Sequence, residues 1–193
     1  QQTNWINYLD KHPHLSTLRL LFLGDVVGEP GRKAVASFIP QVREDRGVNF
    51  VVVNGENSAG GRGITAKIAI GLLRAGATVI TTGDHIWDQR EIVEFLPTEP
   101  RLLRPLNYPD GTPGNGSIVL ETEKGPVAVM NAQGRTFMSN PLENPLISID
   151  NELNKIREDL DVKMVFLDFH AEATSEKIAT GRYLDGRVSA VVG

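Results

Sequence analysis

The stretch VITTGDHIWD, residues Val79–Asp88, shows the fold most directly. Val79, Ile80, Thr81 and Thr82 suit a buried strand, because β-branched side chains pack well on a pleated surface. Gly83 breaks the run, and an acid and an imidazole, Asp84 and His85, follow side by side. A buried strand that delivers ionisable groups where it ends is the repeating unit of a layered α/β sheet, in which ligands bind at the carboxyl ends of the strands.

Working outward, the same unit recurs. LRLLFLG (Leu18–Gly24), NFVVVNG (Asn49–Gly55) and KMVFLDFH (Lys163–His170) are continuous apolar runs of the kind covered on both faces. Between them, GRKAVASFIPQVRED places Ala34, Val35, Phe38, Ile39 and Val42 at helical spacing, with Pro40 expected to kink that helix or end its first half. TAKIAIGLLRAG predicts a helix capped by Thr65 and stopped by Gly76. QREIVEFL predicts a short helix closed by Pro97, and SIDNELNKIREDL and SEKIATGRYLDG two more. Ser117–Glu121 and Val127–Asn131 read as short strands, and the EKG between them as a hairpin turn. VSAVVG is a last strand. The pattern predicts an α/β fold, a layered mixed β-sheet flanked by helices, in which the hairpin adds antiparallel strands to the sheet. Residues 1–17 read as a loosely ordered extension and residues 18–193 as one domain, as expected from about 150 residues per domain. His12 and His14, around a proline in the polar extension, read as solvated loop residues rather than ligands.

Composition narrows the function. Twenty-four acids against 20 bases give a formal charge of −4, which argues against stable binding to a nucleic-acid backbone but not against a small phosphorylated ligand held by a metal. There is no cysteine, which removes disulfides, thiolate zinc sites and cysteine nucleophiles, and fits a cytoplasmic location. No apolar stretch approaches the roughly 20 residues needed to cross a bilayer, and the N-terminus lacks a signal-peptide pattern.

The strand ends carry the chemistry. They deliver Asp25; Asn54, Glu56 and Asn57; Asp84 and His85; Asn131, Gln133 and Arg135; and Asp168, His170 and Glu172. Singly, each has an ordinary explanation: Asp25 as a helix cap, Glu56 as a solvated loop acid, His170 as a core histidine bonded to a carbonyl, the asparagines as turn formers. Together they concentrate carboxylates where they repel one another, which packing alone does not do. Oxygen and imidazole donors without thiolate suit Mn²⁺, Fe or Zn²⁺. A carboxylate bridging two ions about 3.5–4 Å apart can hold a hydroxide that attacks a phosphoryl group in line with the leaving oxygen. Glycines in GDVVGEPGR and NGENSAGGRG would let the backbone approach an anion. The first is not a G-x-G-x-x-G dinucleotide loop.

Taken in order, GDVVGEPGR, NGENSAGGRGIT, TTGDHIWD, LLRPLNYPDGTPG, NAQGRTF and DFHAEATSEKIATGRYLDGRVSAVVG resemble the YmdB-type metallophosphoesterases of the calcineurin-like superfamily, from about Leu18 to Gly193. The resemblance implies the calcineurin-like fold and a bacterial dinuclear-metal phosphodiesterase acting on small phosphodiesters such as 2′,3′-cyclic nucleotides. Its two divalent or trivalent ions would be Mn or Fe, with Zn or Mg as further candidates. It implies that Asp25 and Asn57 bind a first metal, Glu56 bridges, and Asp84 and His170 bind a second. His85 would approach the phosphate and protonate the leaving oxygen, and Asn131 and Arg135 would contact substrate. Asp84 stands where the family has Asn, which adds a negative charge.

In the family, the strand matching SAVVG runs into a Thr-His-Thr-His segment that supplies two further metal ligands. On that basis the fold is expected to be incomplete at the C-terminus, with weak metal binding, little catalysis, and an open sheet edge free to pair with another copy in a homo-oligomer. Two other readings stand beside the enzyme: a regulatory or nucleotide-binding module that keeps the fold without efficient turnover, and a doubly wound binding domain with no metal.

Overall fold

A computed structural model describes residues 17–140, 142–159 and 162–193. Apart from Thr17, the expected N-terminal extension, with His12 and His14, lies outside the described residues. Among the described residues, seven strands form two sheets. The first is parallel, in the order β1 (Leu20–Leu23), β2 (Phe50–Asn54), β3 (Val79–Thr81). The second has the order β4 (Ser117–Leu120), β5 (Val127–Gln133), β6 (Met164–His170), β7 (Ala190–Val192); β4 runs antiparallel to β5, and the other pairs are parallel.

Side-chain alternation sets the layers. In β2, Val51 and Val53 face outward and pack with Val35 and Ile39 of α1 (Gly28–Arg46) and Ala69 and Leu72 of α2 (Ala66–Arg74). Phe50 and Val52, on the opposite face, share one apolar cluster with Val127, Val129 and Phe166 of the second sheet. Phe22 of β1 meets Phe166 of β6 with ring centroids 5.6 Å apart. The outer face of the second sheet, Met130, Leu167 and Phe169 among others, packs on Ile149, Leu153 and Ile156 of α4 (Pro145–Asp159) and on Leu184, just past α5 (Thr174–Tyr183). The short α3 (Ile92–Phe95) adds Ile92 to the first helical layer. The order is helix, sheet, sheet, helix.

The α/β class with outer helices is as expected, but the hairpin does not join the first sheet. It belongs to a second sheet packed face to face on the first. A strand buried on both faces has the same apolar pattern whether sheet or helix covers it. α1 also departs from expectation. It runs through Pro40 to Arg46 and ends at Gly47, φ +62. Pro40 is on the exposed side, while Val35 and Ile39 are fixed against the sheet. Thr65 caps α2 as expected, its hydroxyl accepting from the Ile68 N–H at 3.2 Å. The EKG turn closes through paired bonds between Thr122 and Gly125.

Polar bonds across the sheet interface place both sets of strand ends at one rim. Asn54 Nδ2 donates to Asp168 Oδ2 at 3.0 Å, and the Thr81 hydroxyl donates to the same oxygen at 2.5 Å. The Thr82 N–H donates to Asn131 Oδ1 at 2.9 Å.

Candidate metal centre

At that rim Glu56, Asp84 and His170 converge, each offering one ligand atom, with all three atoms within 4.8 Å of one another. His170 Nε2 lies 3.1 Å from Asp84 Oδ1 and 3.3 Å from Glu56 Oε1. Each comes from a different strand end: Glu56 from the turn after β2, Asp84 from a single 3₁₀ turn after β3, and His170 from the end of β6. The turn carrying Glu56 is tied to β3 by Gly55 N–H donating to Thr81 O at 2.9 Å, and closed by the Ser58 hydroxyl on Gly55 O at 2.6 Å.

Asp25 and Asn57 stand beside the trio. Asn57 Nδ2 donates to Asp25 Oδ1 at 2.8 Å and to Glu56 Oε1 at 3.2 Å. Backbone bonds from Val26 N to Asn54 O and from Gly28 N to Asn57 O lock the two loops together. Asp25 adopts φ +45, a conformation L-residues seldom take. A cavity of about 370 Å³ opens over the group, lined by Asp25, Asn54, Glu56, Asp168, His170 and Lys177 among others.

The residues fit a divalent cation on three counts. The donors are carboxylate, carboxamide and imidazole, the set hard and borderline cations prefer. Glu56 Oε2 and Asn57 Oδ1 are buried without a hydrogen-bond partner, and a buried acceptor left unpaired is costly unless something positive meets it. Space is also reserved: a Cβ added at Gly83 would stand 2.1 Å from Glu56 Oε2 and 2.5 Å from His170 Nε2.

The remaining sequence candidates are placed as follows. His85 sits on the 3₁₀ turn beside Asp84, its Nδ1 3.0 Å from Asp88 Oδ2. Arg62 holds the same carboxylate oxygen through Nε at 3.0 Å. Asn131 is fully buried, accepting from Thr82 N and donating to Asp168 O, so both ends of its amide serve the sheet interface. Arg135 lies on the exposed loop after β5, its backbone N–H donating to Glu176 Oε1 at 2.9 Å.

The sequence from residue 21 to residue 193 matches the family model for YmdB-like proteins. The chain belongs to the YmdB-like family. It is 46% identical over 176 residues to the 2′,3′-cyclic-nucleotide 2′-phosphodiesterase of Bacillus subtilis strain 168, a match covering 91% of this chain and 66% of that protein. The crystal structure of a hypothetical protein from Thermus thermophilus superposes with a TM-score of 0.82 at 41% identity, over 90% of this chain and 66% of that one. The structure of a novel phosphatase from Mycoplasma pneumoniae gives 0.81 at 32% identity, over 90% and 62%. The chain thus spans a little under two thirds of the length of these relatives.

In this YmdB-like chain the electrostatics follow from crowding. Burial raises the Glu56 pKa and the Asp84 charge adds to it, with His170 opposing. The His170 hydrogen bond lowers Asp84 against the effect of its burial. Burial disfavours the charged imidazole of His170, yet the bond to Asp84 and the charges of Glu56, Asp84 and Asp168 prevail and raise its pKa. Two carboxylates crowded against an imidazole favour positive charge between them, which is the charge a cation brings.

Sequence reasoning did not single out Gly83, Asp88, or the bracing roles of Asn54, Thr81 and Asp168. Asp88 had a local signal, since HIWD spaces an acid three residues from His85, which is one 3₁₀ turn. The others act through groups distant in sequence and carried none.

Proposed function

We propose that this chain forms the metal-binding part of a phosphodiesterase for small phosphate diesters, with 2′,3′-cyclic nucleotides as the substrate class. The observation that carries the reading is the convergence of Glu56, Asp84 and His170 around buried, unpartnered Glu56 Oε2. The relationship to a cyclic-nucleotide phosphodiesterase supplies the substrate class.

In this reading Asp25 and Asn57 would hold one cation and Asp84 and His170 a second, with Glu56 available to either. Bound divalent ions supply Lewis acidity toward a phosphoryl oxygen and acidify coordinated water. The protein does the rest. The Glu56 and Asp84 turns are fixed by backbone bonds, so the donors are preorganised. Asp88 holds the Nδ1 edge of His85, which leaves Nε2 as the atom that passes a proton to the leaving oxygen. Asn131 braces the Asp84 turn through Thr82 instead of contacting substrate. Arg135 is a cation at the rim for phosphate or ribose oxygens.

Mn²⁺ titration by calorimetry, with bis-p-nitrophenyl phosphate hydrolysis in parallel, tests this. The wild-type chain should bind Mn²⁺, and Glu56→Gln and His170→Ala should each weaken binding by about 10- to 100-fold or more. Binding that is indifferent to both substitutions rules out the assignment. A second reading, nucleotide binding without efficient turnover, draws on the extra carboxylate of Asp84 in the trio, which repels a phosphate; metal and nucleotide binding without hydrolysis would select it.

A further inference from the structure

The geometry points to a nucleobase platform at Phe137 on the loop after β5, with Arg135 on the same loop. This deepens the phosphodiester reading and rests on it. Gln133 ends β5 directly alongside His170 in the parallel register. The next residue, Gly134, donates its N–H to His170 O at 2.8 Å. It has no room for a side chain, since a Cβ there would stand 2.4 Å from Glu176 Oε2 and 2.7 Å from Ala171 Cβ. Glu176 then clamps the loop, Oε1 accepting from Arg135 N at 2.9 Å and Oε2 from Thr136 N at 3.2 Å. The root of the loop is therefore fixed to the strand that carries His170.

Beyond that root Phe137 stands 87% exposed, with φ +64. Both features are unfavourable for folding. An exposed ring forgoes burial, and a bulky residue in the left-handed region is a conformational outlier. Stability alone would select glycine or asparagine here. A backbone held in a rare conformation that presents an aromatic ring to solvent is the kind of strain that accumulates at ligand sites. Arg135, two residues earlier, makes no side-chain hydrogen bond or ion pair among the described residues. Phe137 is three residues beyond Gly134, so its Cα lies within roughly 11 Å of the Gly134 Cα. A nucleotide carries its base one ribose away from its phosphate. An anion held at the His170 rim would place its ribose and phosphate oxygens near Arg135 and its base over the Phe137 ring, where stacking tolerates any base.

The test is calorimetry of the Mn²⁺-loaded chain with adenosine 3′-monophosphate and, separately, with inorganic phosphate. Phe137→Gly suits the left-handed backbone and removes only the ring. It should raise the Kd of the nucleotide roughly 5- to 100-fold while shifting that of phosphate by less than about twofold, and Phe137→Trp should restore the nucleotide preference. The platform is overturned if Phe137→Gly leaves nucleotide affinity unchanged, if it weakens both ligands equally, or if wild-type protein binds phosphate as tightly as the nucleotide. Binding of neither ligand by wild-type protein removes the phosphodiester reading itself, and the platform with it.

Discussion

Gly83 shows how much a single position can decide. Its φ of −154 lies outside the left-handed region, and the space around it is what excludes a side chain. A methyl group there would overlap Glu56 Oε2 and the His170 ring, and one of those groups would have to leave the cluster. Gly83→Ala should keep the far-ultraviolet circular dichroism of wild type and lose at least about tenfold in Mn²⁺ affinity; unchanged affinity would mean the cluster is not the cation site. That Asp25, Glu56, Asn57, Asp84 and His170 stand at strand ends was legible in the sequence because each closes or follows an apolar run; the family resemblance, not the pattern, marked them out as ligands. The need for Gly83 was not legible, because what fills the space around it comes from residues 27 and 87 positions away. Asn54 and Asn131 make the same point. Each reads as a turn-forming asparagine after a strand, yet each spans the sheet interface.

At the scale of elements, boundaries followed local signals where the signal was a bond within the segment, as at the Thr65 cap of α2 and in the hairpin turn closed by Gly125. They failed where packing outweighed a local preference, as at Pro40. The Gly- and Pro-rich stretch after Arg104 has almost no regular structure, and the Arg104 guanidinium organises it by donating to the carbonyls of Pro105, Thr112 and Pro113. α4 is joined to the end of α5 by a corner in which Asp150 accepts from the Tyr183 hydroxyl at 2.5 Å and from Arg187 at 2.7 Å. Burial works to raise the Asp150 pKa, but those two hydrogen bonds prevail and hold it below its ordinary value of 3.8. A carboxyl lowered by folding stabilises above its unfolded pKa, and the contribution is lost as pH falls through the folded value. Asp150→Asn should therefore cost under about 1 kcal/mol at pH 7, as exposed pairs do. The difference should shrink below pH 3.8 and vanish in stronger acid, read from urea unfolding across pH. A deficit that grows with acid would contradict the assignment.

For the molecule as a whole, Asp168 is the polar joint between the two sheets. It is buried among apolar strands and receives Asn54 and Thr81 from the opposite sheet. Burial raises its pKa, with those two donors opposing, so the fold loses stability as pH rises above 3.8 toward the folded value, because the unfolded chain gives up that proton first. Asp168→Asn keeps an acceptor and carries no charge; it should match or exceed wild-type stability at neutral pH. Asp168→Leu strands the Asn54 amide and the Thr81 hydroxyl and should cost about 2–4 kcal/mol in urea unfolding. Equal stability of the two variants would show that the joint contributes nothing.

The sequence by itself determined the alternation of strand and helix and the residue types delivered at each strand end, because apolar period and turn chemistry are local properties. The tertiary structure alone decided that the strands divide into two sheets, that Glu56, Asp84 and His170 meet while Asn131 turns inward, and that Phe137 faces solvent from a strained loop. Those outcomes depend on which surfaces pack together, and a buried strand carries the same pattern whatever covers it.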